Sequence, residues 1–191
     1  MKKFDKENAE KAIEILLTSM GVDFDNDPNF KETPKRVAKA YMELNRGLYE
    51  EVPIIKVFPT SYKGIVFFKS IKAVGLCPHH LLPIEMDISF AYIPKENALG
   101  LSKVSRIIKH LCSRPVLQED LTKDIVEYFG KLLSPLGIAV VVRGIHGCMK
   151  FRGIKEATTV KTSEMNGAFR ENVETREEFF NLIKENAVFT D

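Results

Sequence analysis

Cys77, Pro78, His79 and His80 gather two of the chain's four histidines and one of its three cysteines into four consecutive positions. Far downstream, His146, Gly147 and Cys148 supply the same two residue types again. Thiolate and imidazole together are the donor set of a tetrahedral zinc ion. The candidate ligands are therefore Cys77, His79, His80, His146 and Cys148. In an extended stretch adjacent side chains diverge, so only one of His79 and His80 is expected to reach a shared ion. Spacing alone leaves two readings open: a closed structural centre with His79 or His146 as fourth ligand, or a three-ligand site that keeps one position for water.

Elements that position these clusters can be read from periodicity. Asp5 to Met20 carries Ala9, Ala12, Ile13, Leu16, Leu17 and Met20 at helical spacing, and Gly21 ends it. A polar run from Asp25 to Asp27 leads to a second helix, which starts at Thr33 and Pro34 with a hydroxyl cap and runs to Gly47. From about Ile54 the chain becomes extended. Its clearest strand is Glu85 to Ile93, where Met86, Ile88, Phe90 and Tyr92 alternate with Glu85, Asp87, Ser89 and Ala91. The Cys77 cluster then lies on a connection between two strands.

Ser102 is expected to cap a helix bearing Val104, Ile107, Ile108, Leu111 and Cys112, and a second helix follows from about Glu119. Cys112 falls on the apolar stripe and reads as core, whereas His110 reads as solvated. Ile138 to Val142 is a buried strand that delivers His146 and Cys148. Thr158 to Ser163 is a further strand, and Thr175 with Glu178 forms a capping box for a last helix. The fold class is α+β, an antiparallel sheet with helices on one face. Residues 1–50 form an N-terminal helical extension and 51–191 the main domain.

Composition excludes several functions. With 28 basic and 26 acidic residues the net charge is +2, so no global field points to nucleic acid. No run approaches the ~18 apolar residues of a membrane span, and Met1 to Glu10 lacks the apolar core of a signal peptide. Three cysteines, two of them in metal-type clusters, do not suggest a disulfide framework, and a cytoplasmic location is expected.

Four segments, LCPHHLLP (76–83), LGLSKVSR (99–106), RPVLQEDLT (114–122) and HGCMKFRG (146–153), occur in the order found in GTP cyclohydrolase I. The chain resembles that family over roughly residues 30 to 185. The resemblance implies the tunnelling fold (T-fold), a toroidal homodecamer with sites at subunit contacts, and zinc (Zn2+) held by Cys77, His80 and Cys148. It implies hydrolysis of GTP to formate and 7,8-dihydroneopterin triphosphate, with His79 and His146 moving protons and Ser102 near the sugar and phosphates. Lys103, Arg106 and Arg152 would clamp the triphosphate, with Arg36 a further member, although each taken alone reads as a surface charge. Gln118 and Glu119 would hold the guanine edge, the amide donating to its carbonyl and the carboxylate accepting from its nitrogens. Pro78 departs from the family pattern, which has Glu there, so the surroundings of the metal must differ. Two alternatives remain: a related purine-triphosphate cyclohydrolase that stops at a ring-opened product, or a non-catalytic zinc-stabilised regulatory subunit.

Overall fold

The computed structural model describes residues 3–23, 26–53 and 56–184, so Met1, Asp25 and Ile54 lie outside the described residues. The chain divides into two compact units, Met1–Glu51 and Val52–Asp191. In the first, α1 (Lys6–Ser19) is capped by Asp5, whose carboxylate accepts from the Asn8 amide. Gly21 stops it in the left-handed region at φ +77°. Of the expected apolar stripe of α1 only Leu17 is buried, while Leu16 and Met20 remain exposed. The second helix, α2 (Thr33–Leu44), has Glu32 at its N-cap and no side-chain cap bond, so Thr33 lies inside the helix. Pro34 sits in the first turn, where its missing amide proton breaks no helical bond.

The second unit is built on a four-stranded antiparallel sheet in the order β2 (Val66–Leu76), β3 (Pro83–Ile93), β5 (Gly137–His146), β6 (Thr159–Gly167). A separate ribbon pairs β1 (Val57–Pro59) with β4 (Asn97–Leu99). Two helices, α3 (Leu101–Cys112) and α4 (Gln118–Leu133), lie over one face of the sheet. There Met86, Ile88, Phe90 and Tyr92 of β3 and Ile138, Val140 and Val142 of β5 pack with Val104, Ile107 and Ile108 of α3 and Leu121, Ile125 and Phe129 of α4. Burying each large side chain is worth about 1.5–3 kcal/mol, so this layer fixes where the strand ends fall. A one-residue slip of β3 would turn its apolar set away from the helices.

The other face is covered at one end. Ala91, Ile93, Ala139 and Met165 form a smaller cluster with Phe169 of α6 (Ala168–Glu171) and Phe179 of α7 (Val173–Lys184). Ser89 and Ala91 are thus as buried as Phe90, although the alternation marks them as outward positions.

Three local readings are corrected. Gly100, not Ser102, occupies the N-cap of α3, and Ser102 lies within the first turn. Asn172, not Thr175, caps α7, its side-chain oxygen accepting from the Thr175 amide. His110 is buried rather than solvated, because the face of α3 next to the apolar stripe is also covered. Cys112 is wholly buried, as its place on that stripe suggests.

Candidate metal centre and its surroundings

Residues 77–82 join β2 to β3 as a tight turn, not an extended stretch. The Leu81 amide donates to the Cys77 carbonyl at 2.8 Å, and the Cys77 amide donates to the Leu82 carbonyl at 2.9 Å. Leu81 takes φ +52°, a strained value for a branched side chain that the turn imposes. His79 and His80 are therefore separated by the turn itself, with ring centroids 6.2 Å apart. The sulfur of Cys77 lies 3.6 Å from His80 Nδ1 and 3.9 Å from His79 Nδ1.

Pairing of β3 with β5 sets Ile84 opposite His146, which brings the end of β5 beside this turn. The chain then enters the short helix α5 (Gly147–Lys150). Gly147 permits the close approach, since a Cβ there would lie 2.8 Å from the Pro83 carbonyl. Cys148 follows, and one ligand atom each from Cys77, His80 and Cys148 lie within 4.8 Å of one another. For zinc bonds of about 2.3 Å to sulfur and about 2.05 Å to nitrogen, a tetrahedral angle implies a sulfur-to-nitrogen edge of about 3.6 Å. The Cys77 to His80 separation matches that edge, and two thiols beside one imidazole suit a soft or borderline cation. Burial raises the Cys148 pKa, and the neighbouring Cys77 raises it further. Two thiolates this close repel unless a cation lies between them.

His146 is half-buried at the end of β5, and its Nε2 is 2.9 Å from Gln118 Oε1. Burial lowers its pKa, partly offset by the Glu119 carboxylate, which raises it. Gln118, the first residue of α4, is buried. Its Nε2 donates to the Val142 carbonyl at 3.1 Å and to the Val160 carbonyl and Thr162 Oγ1 at 3.2 Å each. With two protons facing three acceptors, this amide nitrogen has none left to donate to a purine carbonyl. The donor role expected for Gln118 is therefore not available in this geometry.

Arg152 Nη1 lies 2.8 Å from His80 Nε2, so this guanidinium touches one of the three candidate ligands. Pro78 is exposed on the turn and displaces no candidate ligand. Ser102, Lys103 and Arg106 occupy the first two turns of α3, and Glu119 the first turn of α4, all at least partly exposed. Among the described residues no hydrogen bond or ion pair joins these four to Cys77, His80 or Cys148. Arg36 is exposed on α2, in the other compact unit. Sequence reasoning did not single out Gly144, Thr122 or Thr162. The available signal was Gly144, a glycine inside β5 that follows the apolar run Ile138 to Val142 and Arg143 and precedes Ile145 and His146.

The family model for GTP cyclohydrolase I matches residues 9–184. A protein named GTP cyclohydrolase 1 from Sulfurihydrogenibium sp. is 42% identical over 187 residues, covering 94% of this chain and 95% of its own. Proteins of the same name from Pelotomaculum thermopropionicum and Aquifex aeolicus are 40% and 38% identical. They cover 95% and 94% of this chain, and 98% and 97% of their own lengths.

Proposed function

This chain belongs to the GTP cyclohydrolase I family, and from that premise we propose that it converts GTP and water to formate and 7,8-dihydroneopterin triphosphate. The sheet with its paired helices is the tunnelling fold of that family. One observation carries the chemistry: Cys77, His80 and Cys148 converge as a set of three, one fewer than a closed zinc centre uses. Zinc held by these residues would lower the pKa of a bound water towards neutrality, supplying a nucleophile for C8 of guanine at ordinary pH.

The remaining residues have roles that follow from their chemistry. His79, on the turn beside Cys77, and His146, at the end of β5, carry the imidazoles that move protons as the imidazole ring of guanine opens. Glu119, exposed on the first turn of α4, accepts from the guanine N1 and exocyclic amine. Gln118 serves through its neighbour His146 instead of through a donor of its own. Lys103, Arg106 and Arg152 bind the triphosphate, with Ser102 near the sugar and Arg36 a further cation. For His80 to bind a metal through Nδ1, its Nε2 must carry the proton. Arg152, which can only donate, would then leave that nitrogen and be free to bind an anion.

A homodecamer with sites at subunit contacts, and a cytoplasmic location, complete the reading. Among the described residues no helix is long and apolar enough to cross a membrane. The experiment that tests the reading measures metal content and formate release together. His79→Ala and His146→Ala are expected to stay folded and metal-loaded while formate release falls by roughly 10²- to 10⁴-fold. Cys148→Ala should lose the metal. Loss of metal and of folding in both histidine variants would mean a closed structural centre and would overturn the proposal. Formate without a fluorescent pterin would instead identify an enzyme that stops at the ring-opened product.

A further inference from the structure

We propose that Gln118 is a positioning residue that holds the His146 ring in one tautomer and one orientation, and that position 144 must be glycine to admit it. This rests on the reading above, in which His146 carries a proton.

The amide cannot be turned round. Its nitrogen faces two backbone carbonyls, of Val142 and Val160, which can only accept. A flip would set Oε1 against both carbonyls and lose the bond to Thr162 Oγ1 as well. The oxygen is thereby directed at His146 Nε2, 2.9 Å away. An amide oxygen accepts and never donates, so His146 Nε2 carries a proton and the neutral ring keeps its lone pair on Nδ1. Backbone groups of two sheet strands, β5 and β6, therefore dictate which ring nitrogen of His146 is free.

The base of the amide is equally constrained. Gln118 begins α4, and Leu121, Ile125 and Phe129 of that helix are locked in the core. Thr122 Oγ1 donates to the Gln118 carbonyl at 2.6 Å, and Thr122 and Thr162 hydroxyls meet at 2.6 Å. Gly144 is the complement of this arrangement. Its φ is not positive, so the backbone does not require glycine. Space does, because a Cβ at 144 would lie 2.2 Å from Gln118 Oε1 and 3.1 Å from its Cδ. A methyl group there occupies the place of the oxygen that touches His146. A glutamine serving only to tie α4 to the sheet would need its donors, but not an oxygen aimed at a half-exposed histidine.

Two variants test this in the metal-loaded protein. Gly144→Ala leaves Gln118 and His146 in the chain but displaces the amide, and Gln118→Met keeps the volume while removing both polar atoms. In each, ring ¹⁵N shifts of His146 should change from a single Nε2–H tautomer to a mixture. The kcat for formate release should fall roughly 10- to 100-fold with KM changed less than about 3-fold, the pattern of a misplaced group and not of lost binding. Metal content should match the parent protein. Unaltered ¹⁵N shifts in a folded Gly144→Ala or Gln118→Met protein would overturn the proposal, as would unaltered kcat if His146→Ala is itself inactive. Should Gly144→Ala fail to fold, Gln118→Met carries the same readouts without added bulk. If His146→Ala retains full turnover, the proton-carrying role fails, while the ring shifts still decide whether Gln118 sets the tautomer.

Discussion

Cys112 offers a test of the core that is independent of any metal. It ends α3 with no exposed surface, and burial pushes its thiol from 9.0 up to about 12, against a partial lowering by the Arg114 guanidinium. A thiol is neutral when protonated, so a raised folded pKa leaves stability untouched below the unfolded value. Above 9.0 the unfolded chain releases this proton while the folded chain keeps it, and stability falls until the folded thiol ionises near 12. Linkage gives a loss of less than about 1 kcal/mol at pH 9 that grows by roughly 1 kcal/mol with each further pH unit, to about 3 kcal/mol at pH 11.

Cys112→Ala removes the titration at a cost of about 1–2 kcal/mol for the space left in the core. That cost does not depend on pH. Urea unfolding of both proteins at one concentration, from about pH 8 to pH 11, should show the parent's advantage shrinking by the amounts given and changing sign near the top of the range. Other alkaline groups, among them Tyr128, whose pKa is also raised by burial, are common to both proteins and cancel in the difference. Parallel stability curves across this range would refute the reasoning.

Tyr92→Phe should cost about 1–2 kcal/mol in chemical denaturation, because the buried Tyr92 hydroxyl accepts from the Leu99 amide at 3.2 Å and a phenyl ring leaves that donor without it. No loss would mean that another acceptor takes over. Gly167→Ala should cost about 3 kcal/mol or more and lower the thermal midpoint by about 6–12 °C, since Gly167 holds φ +51° and a Cβ would lie 2.2 Å from the Leu136 carbonyl. A midpoint within about 2 °C of the parent's would show that the turn relaxes around the methyl group.

Much of the fold was legible because it rests on long periodic segments. The alternation of β3 and the stripes of α3 and α4 each report one buried face, and those faces meet in the main core. What a single segment cannot report is whether a second element covers its other side. Ser89 and Ala91 are small enough to read as outward positions, and only the return of the chain through Phe169 and Phe179 buries Ala91. His110 was misread for the same reason. Caps were missed by one to three residues, because Gly100 and Asn172 precede their helices by backbone conformation, and nearby hydroxyls at Ser102 and Thr175 gave an equally good chemical signal.

The candidate metal site was legible because cysteine and histidine at close spacing have few other uses, and the structure brings Cys77, His80 and Cys148 together. The separation of His79 from His80 was anticipated for the wrong reason, an extended chain, where a turn through Leu81 is the cause. Gln118 and Glu119 illustrate a different limit. Read as a pair they suit one purine edge, yet successive residues of a helix point about 100° apart. On α4, whose apolar face lies on the sheet, one of the two must turn inward while the other stays in solvent. Gln118 is the buried one and Glu119 the exposed one. The inward position is filled by an amide that can satisfy two strand carbonyls and still offer an oxygen to His146, which a carboxylate, having no proton to donate, could not do. Exchanging the two residues would leave Val142 and Val160 facing a second acceptor and His146 beside a buried charge, so their order along the helix is itself part of the site.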